Sequence, residues 1–260
     1  MTGRPARVLI IAGSDSSGGA GIQADIKTAM ALGCYAQTAL TAVTVQDTRG
    51  VKAIHRVAPA VVAAQIEACL ADIGADAIKI GMLGSAKTVL AVAVVLKRRA
   101  KAIPIVLDPI LAATGGMRFL DAAAIAALKR HLLPLATLIT PNIPEARALS
   151  GRRDVEGAAR KLISMGAQAA LVKGGHSTKS TLDDVLVWKG GIDVYAFPRV
   201  RTKHTHGTGC TLSTAIACGV ARGLSLPLAV GRAREYVQHA IETAPGLGKG
   251  HGPLNHATRS

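Results

Sequence analysis

The chain has 260 residues, and its 49% hydrophobic share is built from Ala, Val, Leu and Ile, with aromatic residues at only 2%. That length suits one large α/β domain over residues 1–260, which buries roughly three-quarters of its unfolded surface, and so few rings exclude a stacking platform for single-stranded nucleic acid. Lys and Arg number 31 against 16 Asp and Glu, a formal net charge of +15. Apart from Lys97-Arg98-Arg99-Ala100-Lys101 the basic residues are scattered, a pattern that favours steering of small polyanions over a nucleic-acid or membrane partner. Cys34, Cys69, Cys210 and Cys218 have neither paired spacing nor an accompanying His cluster, which argues against zinc or disulfides and for a reducing, cytoplasmic setting.

Met1 to Arg7 leads into a strand pattern too short for a membrane span and unlike a signal peptide. Val8 to Ala12 is a continuous apolar run closed by Gly13, the pattern of a central strand. A helix follows, with Ile22, Ile26, Ala29 and Met30 predicted on its buried face and Gly33 ending it. Tyr35 to Val45 and Val51 to Val57 read as strands joined by a turn over Gln46 to Gly50, a candidate flap over a site. Strand–helix units are predicted from Ala77–Ile80 and Val89–Leu96, from Ile105–Leu107 and Ile125–Leu132, and from Thr137–Ile139 with a short helix near Ala146. Ala169 to Val172 adds a strand, Val185–Trp188 and Ile192–Phe197 form an edge hairpin, and two long helices follow. Repeated βα units of this kind imply a mostly parallel sheet covered by helices on both faces.

In such a sheet, ligands bind beyond the carboxyl ends of the strands. Thr205-His206-Gly207-Thr208-Gly209-Cys210-Thr211 places glycines and hydroxyls just ahead of Leu212, Ala215, Ile216, Gly219 and Val220, which recur at helical spacing. The free N–H groups of Gly207, Thr208, Gly209 and Cys210 are then expected to converge on an anion. A thiol at a helix N-terminus has its thiolate favoured, so Cys210 is a candidate base near neutral pH. Gly13-Ser14-Asp15-Ser16-Ser17-Gly18-Gly19-Ala20-Gly21 reads as a substrate loop, with Asp25 one turn into the helix behind it. Asp108 follows the strand Ile105–Leu107, and Asn142 with Glu145 follows the next. These residues suit water ligands of Mg²⁺, and Asn142 with Glu145 equally suits a capping box. Lys173-Gly174-Gly175-His176 adds a cation and a glycine loop at the same edge, and no P-loop pattern is present.

Together these motifs resemble the ribokinase-like superfamily and, within it, the hydroxymethylpyrimidine/phosphomethylpyrimidine kinases of thiamine biosynthesis. The likeness runs from Ala12 to about Gly252 and includes Lys79-Ile80-Gly81-Met82-Leu83 and Thr140-Pro141-Asn142-Ile143-Pro144-Glu145 beside the loops already named. The resemblance implies phosphorylation by ATP and Mg²⁺ of 4-amino-5-hydroxymethyl-2-methylpyrimidine and then of its monophosphate. It assigns Gly13, Ala20, Asp25, Thr44, Gln46, Met82 and Ile110 to the pyrimidine pocket, with Gln46 reading the polar edge of the ring. Gly207, Thr208 and Gly209 form the anion hole, with Cys210 where sugar kinases of the superfamily carry an Asp base. The ATP contacts are Lys173, Asn142 and His176, and Mg²⁺ goes with Asp108 and Glu145. This chain departs from some members in carrying Gln46 for Glu, and from others in having Thr114 near a Lys position. A pyridoxal kinase of the same branch is the nearest rival, and a non-catalytic basic nucleic-acid binder the rival from another class. The expected assembly is a homo-oligomer, a dimer.

Overall fold

Val8, Leu9, Ile10 and Ile11 are all fully buried, so the first strand needs cover on both faces and has to lie inside the sheet. The computed structural model describes residues 3–112, 116–175 and 180–258. In chain order these form β1 (Arg7–Asp15), α1 (Gly21–Ala31), β2 (Tyr35–Asp47), β3 (Gly50–Arg56), α2 (Pro59–Asp72), β4 (Ala77–Ile80), α3 (Ala86–Arg99), β5 (Ile105–Leu107) and α4 (Ala122–Ala127). After short π and 3₁₀ turns over Leu128–Leu132 and Leu133–Leu135 come β6 (Leu138–Ile139), α5 (Ile143–Ser150), α6 (Val155–Ser164), β7 (Ala170–Val172), β8 (Thr181–Trp188), β9 (Gly191–Pro198), α7 (Thr208–Ala221) and α8 (Leu226–Glu242).

The strands form one sheet in the order β3-β2-β1-β4-β5-β6-β7-β8-β9. Pairing is parallel from β2 across to β7 and antiparallel where β3, β8 and β9 are added at the edges. The alternation of β1 divides the interior: Leu9 and Ile11 pack with residues of α2, α3, α5 and α6, whereas Val8, Ile10 and Ala12 pack with α1, α7 and α8. β1 has β2 on one side and β4 on the other, so the connections leave it in opposite directions and open a crevice at its carboxyl end. There the β1–β2 register slips at Gly13, between Ala12 and Ser14, which turns the following loop away from the sheet.

The α/β class, the parallel core, the β2–β3 flap and the edge hairpin match the sequence reading. Four details differ. Met30 is 70% exposed, because the buried stripe of α1 runs through Ala24, Asp25, Thr28 and Ala29 instead. β2 continues to Asp47, so Gln46 belongs to a strand and the turn is only Thr48 and Arg49. Helices α2 and α6 were not anticipated: α2 buries only Val62 and Ile66 of its fourteen residues, too narrow a stripe to mark it, and α6 is announced mainly by its Asp154 cap, which accepts from Gly157 N–H.

One ion pair interrupts the apolar layer beneath α7. Lys79 Nζ lies 2.7 Å from Asp25 Oδ2, both side chains wholly buried, and Thr214 Oγ1 donates to Asp25 Oδ1 at 2.7 Å. Breaking such a pair leaves an uncompensated charge in the interior, at a cost of about 3–5 kcal/mol. Lys79→Met is therefore expected to lower stability by that order in a denaturant melt, and Lys79→Met with Asp25→Asn to recover most of it. Equal losses in the single and double variants would show that the charge itself is not what the interior balances.

Candidate active site

The crevice at the β1 switch point is the mouth of a cavity of about 1070 Å³ bounded by the carboxyl ends of the strands, the β2–β3 flap and the start of α7. Helices α3, α4, α5 and α6 begin with side-chain caps from Ser85, Asp121, Asn142 and Asp154. α7 begins with Gly207 and α1 with Ala20, neither of which supplies a side-chain cap. Neither cap residue offers a side-chain acceptor; in α1 the Gly21 N–H turns instead to the Cys210 thiol, and in α7 the Thr208 N–H lies 3.3 Å from Thr205 O, so the start of α7, around Gly207 and Gly209, is the more open site for an anion.

Gly207 makes this turn possible. Its φ is +82°, and a Cβ there would overlap Gly19 O, so both the conformation and the space demand glycine. Gly209 lies beyond it, where a Cβ would stand 3.2 Å from Lys173 Nζ. Cys210 also lines the cavity, but its thiol behaves differently from the sequence expectation. Burial pushes it up to about 11, against the opposing pull of the Lys79 ammonium and a hydrogen bond from Gly21 N–H, and with the carboxylates of Asp25 and Asp108 adding to the rise. The helix N-terminus is outweighed by loss of solvent, and at neutral pH the resting thiol carries its proton.

Around this turn the charges are ordered. Lys173 Nζ is 2.9 Å from Asp108 Oδ1, and Ser213 Oγ sits 3.4 Å from Asp108 Oδ2. Burial works against the Lys173 ammonium, yet the carboxylates of Asp108 and Glu145 hold it above the ordinary lysine range. Glu145 completes the capping box: Asn142 N–H donates to its Oε2 at 2.9 Å, and Glu145 N–H donates to Asn142 Oδ1 at 2.8 Å. Its Oε1 accepts from Leu111 N–H at 3.3 Å. Burial pushes the Glu145 carboxyl up, opposed by Lys173 and reinforced by Asp108. Among the described residues no three acidic, His or Cys side chains converge as a ready metal cage. Two carboxylates with remaining lone pairs suit Mg²⁺ held largely through its waters.

The cavity lining includes Gly13, Ala20, Thr44, Gln46, Met82 and Ile110, residues that the family resemblance points to. Asp25 is the exception, lying under the cavity in its ion pair with Lys79 and outside the lining. Its place one turn into α1 had suggested contact with a ligand, but the helix turns that face into the interior, where it is fully buried. His176 and Thr114 lie outside the described residues. The sequence reading passed over two side chains, Asp15 and His206. Asp15 accepts from Ser17 N–H (2.9 Å) and Ala20 N–H (2.8 Å) and pairs with His206 Nε2 at 2.8 Å. The amide of Gln46 is 3.2 Å from His206 Nε2 and 3.3 Å from Thr44 Oγ1. An acid inside a glycine loop and a His just ahead of an anion turn were the available signals. At the far end Asp184 accepts from Gly174 N–H at 2.7 Å and pairs with Arg234 at 3.0 Å, which ties down Gly174 just after β7.

The phosphomethylpyrimidine kinase family model matches residues 15–255. A thiamine biosynthesis bifunctional protein ThiED of Geobacter sulfurreducens is 47% identical over 96% of this chain, which spans 52% of that longer protein. The crystal structure of phosphomethylpyrimidine kinase from Clostridium difficile superimposes with a TM-score of 0.80 at 38% identity, over 91% of this chain and 99% of that one. The pyridoxal kinase from Staphylococcus aureus in complex with ADP gives a TM-score of 0.90 at 32% identity, over 98% and 94% of the two chains. Among the described residues no helix is long and apolar enough to cross a membrane.

Gly207→Ala must displace either the α1 loop or the start of α7. Because one anion turn serves any transferred phosphoryl group, kcat/KM is expected to fall by about 10²-fold or more for every acceptor alike. Steady-state kinetics with two acceptors check this, and a loss confined to one acceptor would contradict a shared anion turn.

Proposed function

The chain belongs to the phosphomethylpyrimidine kinase family, and we propose that it transfers the terminal phosphoryl group of ATP to 4-amino-5-hydroxymethyl-2-methylpyrimidine and then to the resulting monophosphate. The observation that carries this reading is the joint presence, in one cavity, of a ring-reading amide at Gln46, an uncapped glycine turn at Gly207–Gly209 and the thiol of Cys210. An amide presents a donor and an acceptor side by side, the complement of an aminopyrimidine edge with its ring nitrogen and exocyclic amine. The ADP-bound state of the S. aureus neighbour supports the nucleotide half of the reading.

In the first transfer the hydroxymethyl oxygen bonds to the terminal phosphorus as the bond to the ADP oxygen breaks, and the hydroxyl proton leaves. Gly207 and Gly209 direct N–H groups at the phosphoryl oxygens, where charge accumulates, and Thr208, whose N–H lies 3.3 Å from Thr205 O, completes the turn. Lys173 supplies a fixed cation beside that turn, and Asn142, which lines the same cavity, would contact the nucleotide. Asp108 and Glu145 would hold Mg²⁺, which supplies charge neutralisation of the phosphates when bound. Cys210 takes the proton as thiolate, a state that burial makes scarce at neutral pH. The second transfer needs no base, because the monophosphate oxygen is already largely ionised, its second pKa being about 6.

A pyridoxal kinase is the second reading, and the TM-score of 0.90 to the S. aureus enzyme favours it. Pyridoxal lacks an exocyclic amine beside a ring nitrogen, so it leaves half of the Gln46 amide unpaired.

ATP consumption with the alcohol and the monophosphate offered separately tests the proposal: turnover of both is expected, and turnover of neither overturns it. Cys210→Ala should depress kcat/KM for the alcohol by about 10²–10⁴-fold while sparing the monophosphate. Because the thiol lies well above neutral, kcat/KM for the alcohol should also rise about tenfold per unit between about pH 7 and 9, with the monophosphate profile flat. Parallel losses and parallel profiles would reduce Cys210 to a wall of the anion turn. Glu145→Gln keeps one acceptor, for Asn142 N–H, but loses the long bond from Leu111 N–H together with a carboxylate that burial disfavours. A carboxyl raised in the folded state costs stability above its folded pKa, which offsets the lost hydrogen bond, so at neutral pH the melting temperature should change little, while the rate drops and high Mg²⁺ partly restores it. A lowered melting temperature with an unchanged rate would leave Glu145 as a cap only.

A further inference from the structure

The amide of Gln46 is fixed from several directions, and the fixing residues extend beyond those assigned above. Ser16 Oγ donates to Gln46 O at 2.7 Å and accepts from Gln46 N–H at 2.9 Å, which pins the main chain. The side chain then meets Thr44 Oγ1 and His206 Nε2. His206 Nε2 is in turn 2.8 Å from Asp15 Oδ2. Burial raises the Asp15 carboxyl, but hydrogen bonds from His206 and Ser17 outweigh it and hold the group below the ordinary Asp range. Asp15 is thus a carboxylate, which only accepts.

His206 Nε2 faces both Asp15 Oδ2 at 2.8 Å and the Gln46 amide at 3.2 Å, so its single proton serves the two as a three-centre donor, mainly to Asp15. The His206 nitrogen facing Asp15 carries a proton and donates it. As placed, Gln46 Nε2 lies toward His206 Nε2 and Gln46 Oε1 toward Thr44 Oγ1, which would bring two donors together at His206; the two ends of a carboxamide are told apart by their partners, so the amide is assigned the reverse way, oxygen toward His206 and nitrogen toward Thr44 Oγ1. Thr44 Oγ1 is free to accept, since its own proton goes to Ser14 O at 2.8 Å. One lone pair and one N–H of the amide then remain for a ligand. The ring of His206 is wedged against the α1 loop, where a Cβ on Gly19 would stand 2.6 Å from its Cδ2. The next residue is Gly207, the cap of α7.

We propose that Asp15 and His206 are positioning residues for ring recognition: through the chain Asp15–His206–Gln46 they lock the amide in the one orientation that offers an acceptor and a donor to an aminopyrimidine edge. The inference rests on the pyrimidine reading and adds its cause: the residues that orient the ring reader also join the substrate loop to the anion turn.

The test is a double-variant cycle with pyrimidine alcohol as substrate. His206→Phe keeps a flat ring against Gly19 and loses the N–H. It should raise the KM for the alcohol about tenfold or more with the KM for ATP little changed, and lower the melting temperature by a few degrees, because the buried Asp15 carboxylate loses one donor while keeping its backbone ones. His206→Asn and His206→Gln carry the same amide at different reach, so Asn should behave as Phe does, and Gln, whose N–H can reach both Asp15 and residue 46, should recover most of the loss. In a Gln46→Leu background His206→Phe should add nothing further. Additive effects, an equal shift in the KM for ATP, or a Gln variant no better than Asn would each overturn the positioning role. A wild-type enzyme that fails to phosphorylate the alcohol sinks the functional reading, and this inference with it; a wild type that succeeds with an additive cycle sinks the inference alone.

Discussion

The close approach of Gly207 to the carbonyl of Gly19 is the constraint on which the site depends. At that point the loop leaving β1 and the loop entering α7 touch backbone to backbone, with no room for a side chain. The contact puts a glycine with no side chain at the cap of α7, so no cap side chain competes for the backbone N–H groups there. It also fixes the distance between Gln46 and the start of α7, the two ends that the proposed reading assigns to the ring and to the phosphoryl group. A register slip at Gly13 and the switch of strand order at β1 bring the two loops there.

Electrostatics around this contact are balanced in pairs. Lys173 lies with Asp108 and Glu145 on the cavity side, and Lys79 with Asp25 on the interior side. Cys210 stands between the two pairs and responds to both. Desolvation is the larger influence on the thiol, and it opposes the helix end. A buried residue at a helix N-terminus therefore need not be acidic, because the field of a half-charge of backbone dipole is smaller than the loss of water when nearby carboxylates offset the nearby cation.

Much of the molecule was legible in the sequence where one physical pattern dominated. Fully apolar runs marked β1 and β5, and glycines before a periodic segment marked the start of α7. Cavity-lining residues such as Gly13, Thr44, Gln46, Met82 and Ile110 were reached through the family likeness, since nothing in Met82 or Ile110 taken singly separates a pocket wall from core. Position in three dimensions accounts for the misses. Asp25 has the spacing of a ligand contact, yet the rotation of α1 aims it at Lys79. The roles of Asp15 and His206 arise from a pairing across 191 residues, which no local pattern encodes. The direction of the Cys210 shift depends on how completely α7 is covered, a property of packing.

Two acceptor classes fit a cavity of this kind, and both occur among the structural neighbours. What separates them is the edge presented to Gln46. On the proposed reading an aminopyrimidine satisfies both ends of the locked amide, and a pyridine bearing a hydroxyl and an aldehyde leaves one end unpaired on a half-buried wall, a mismatch that discriminates between them. The most direct measurement is competition in one vessel, with the pyrimidine alcohol and pyridoxal at equal concentration, ATP in excess and both phosphorylated products followed. The account predicts a kcat/KM ratio in favour of the pyrimidine by about 10²-fold or more. A ratio near unity, or one favouring pyridoxal, would contradict it.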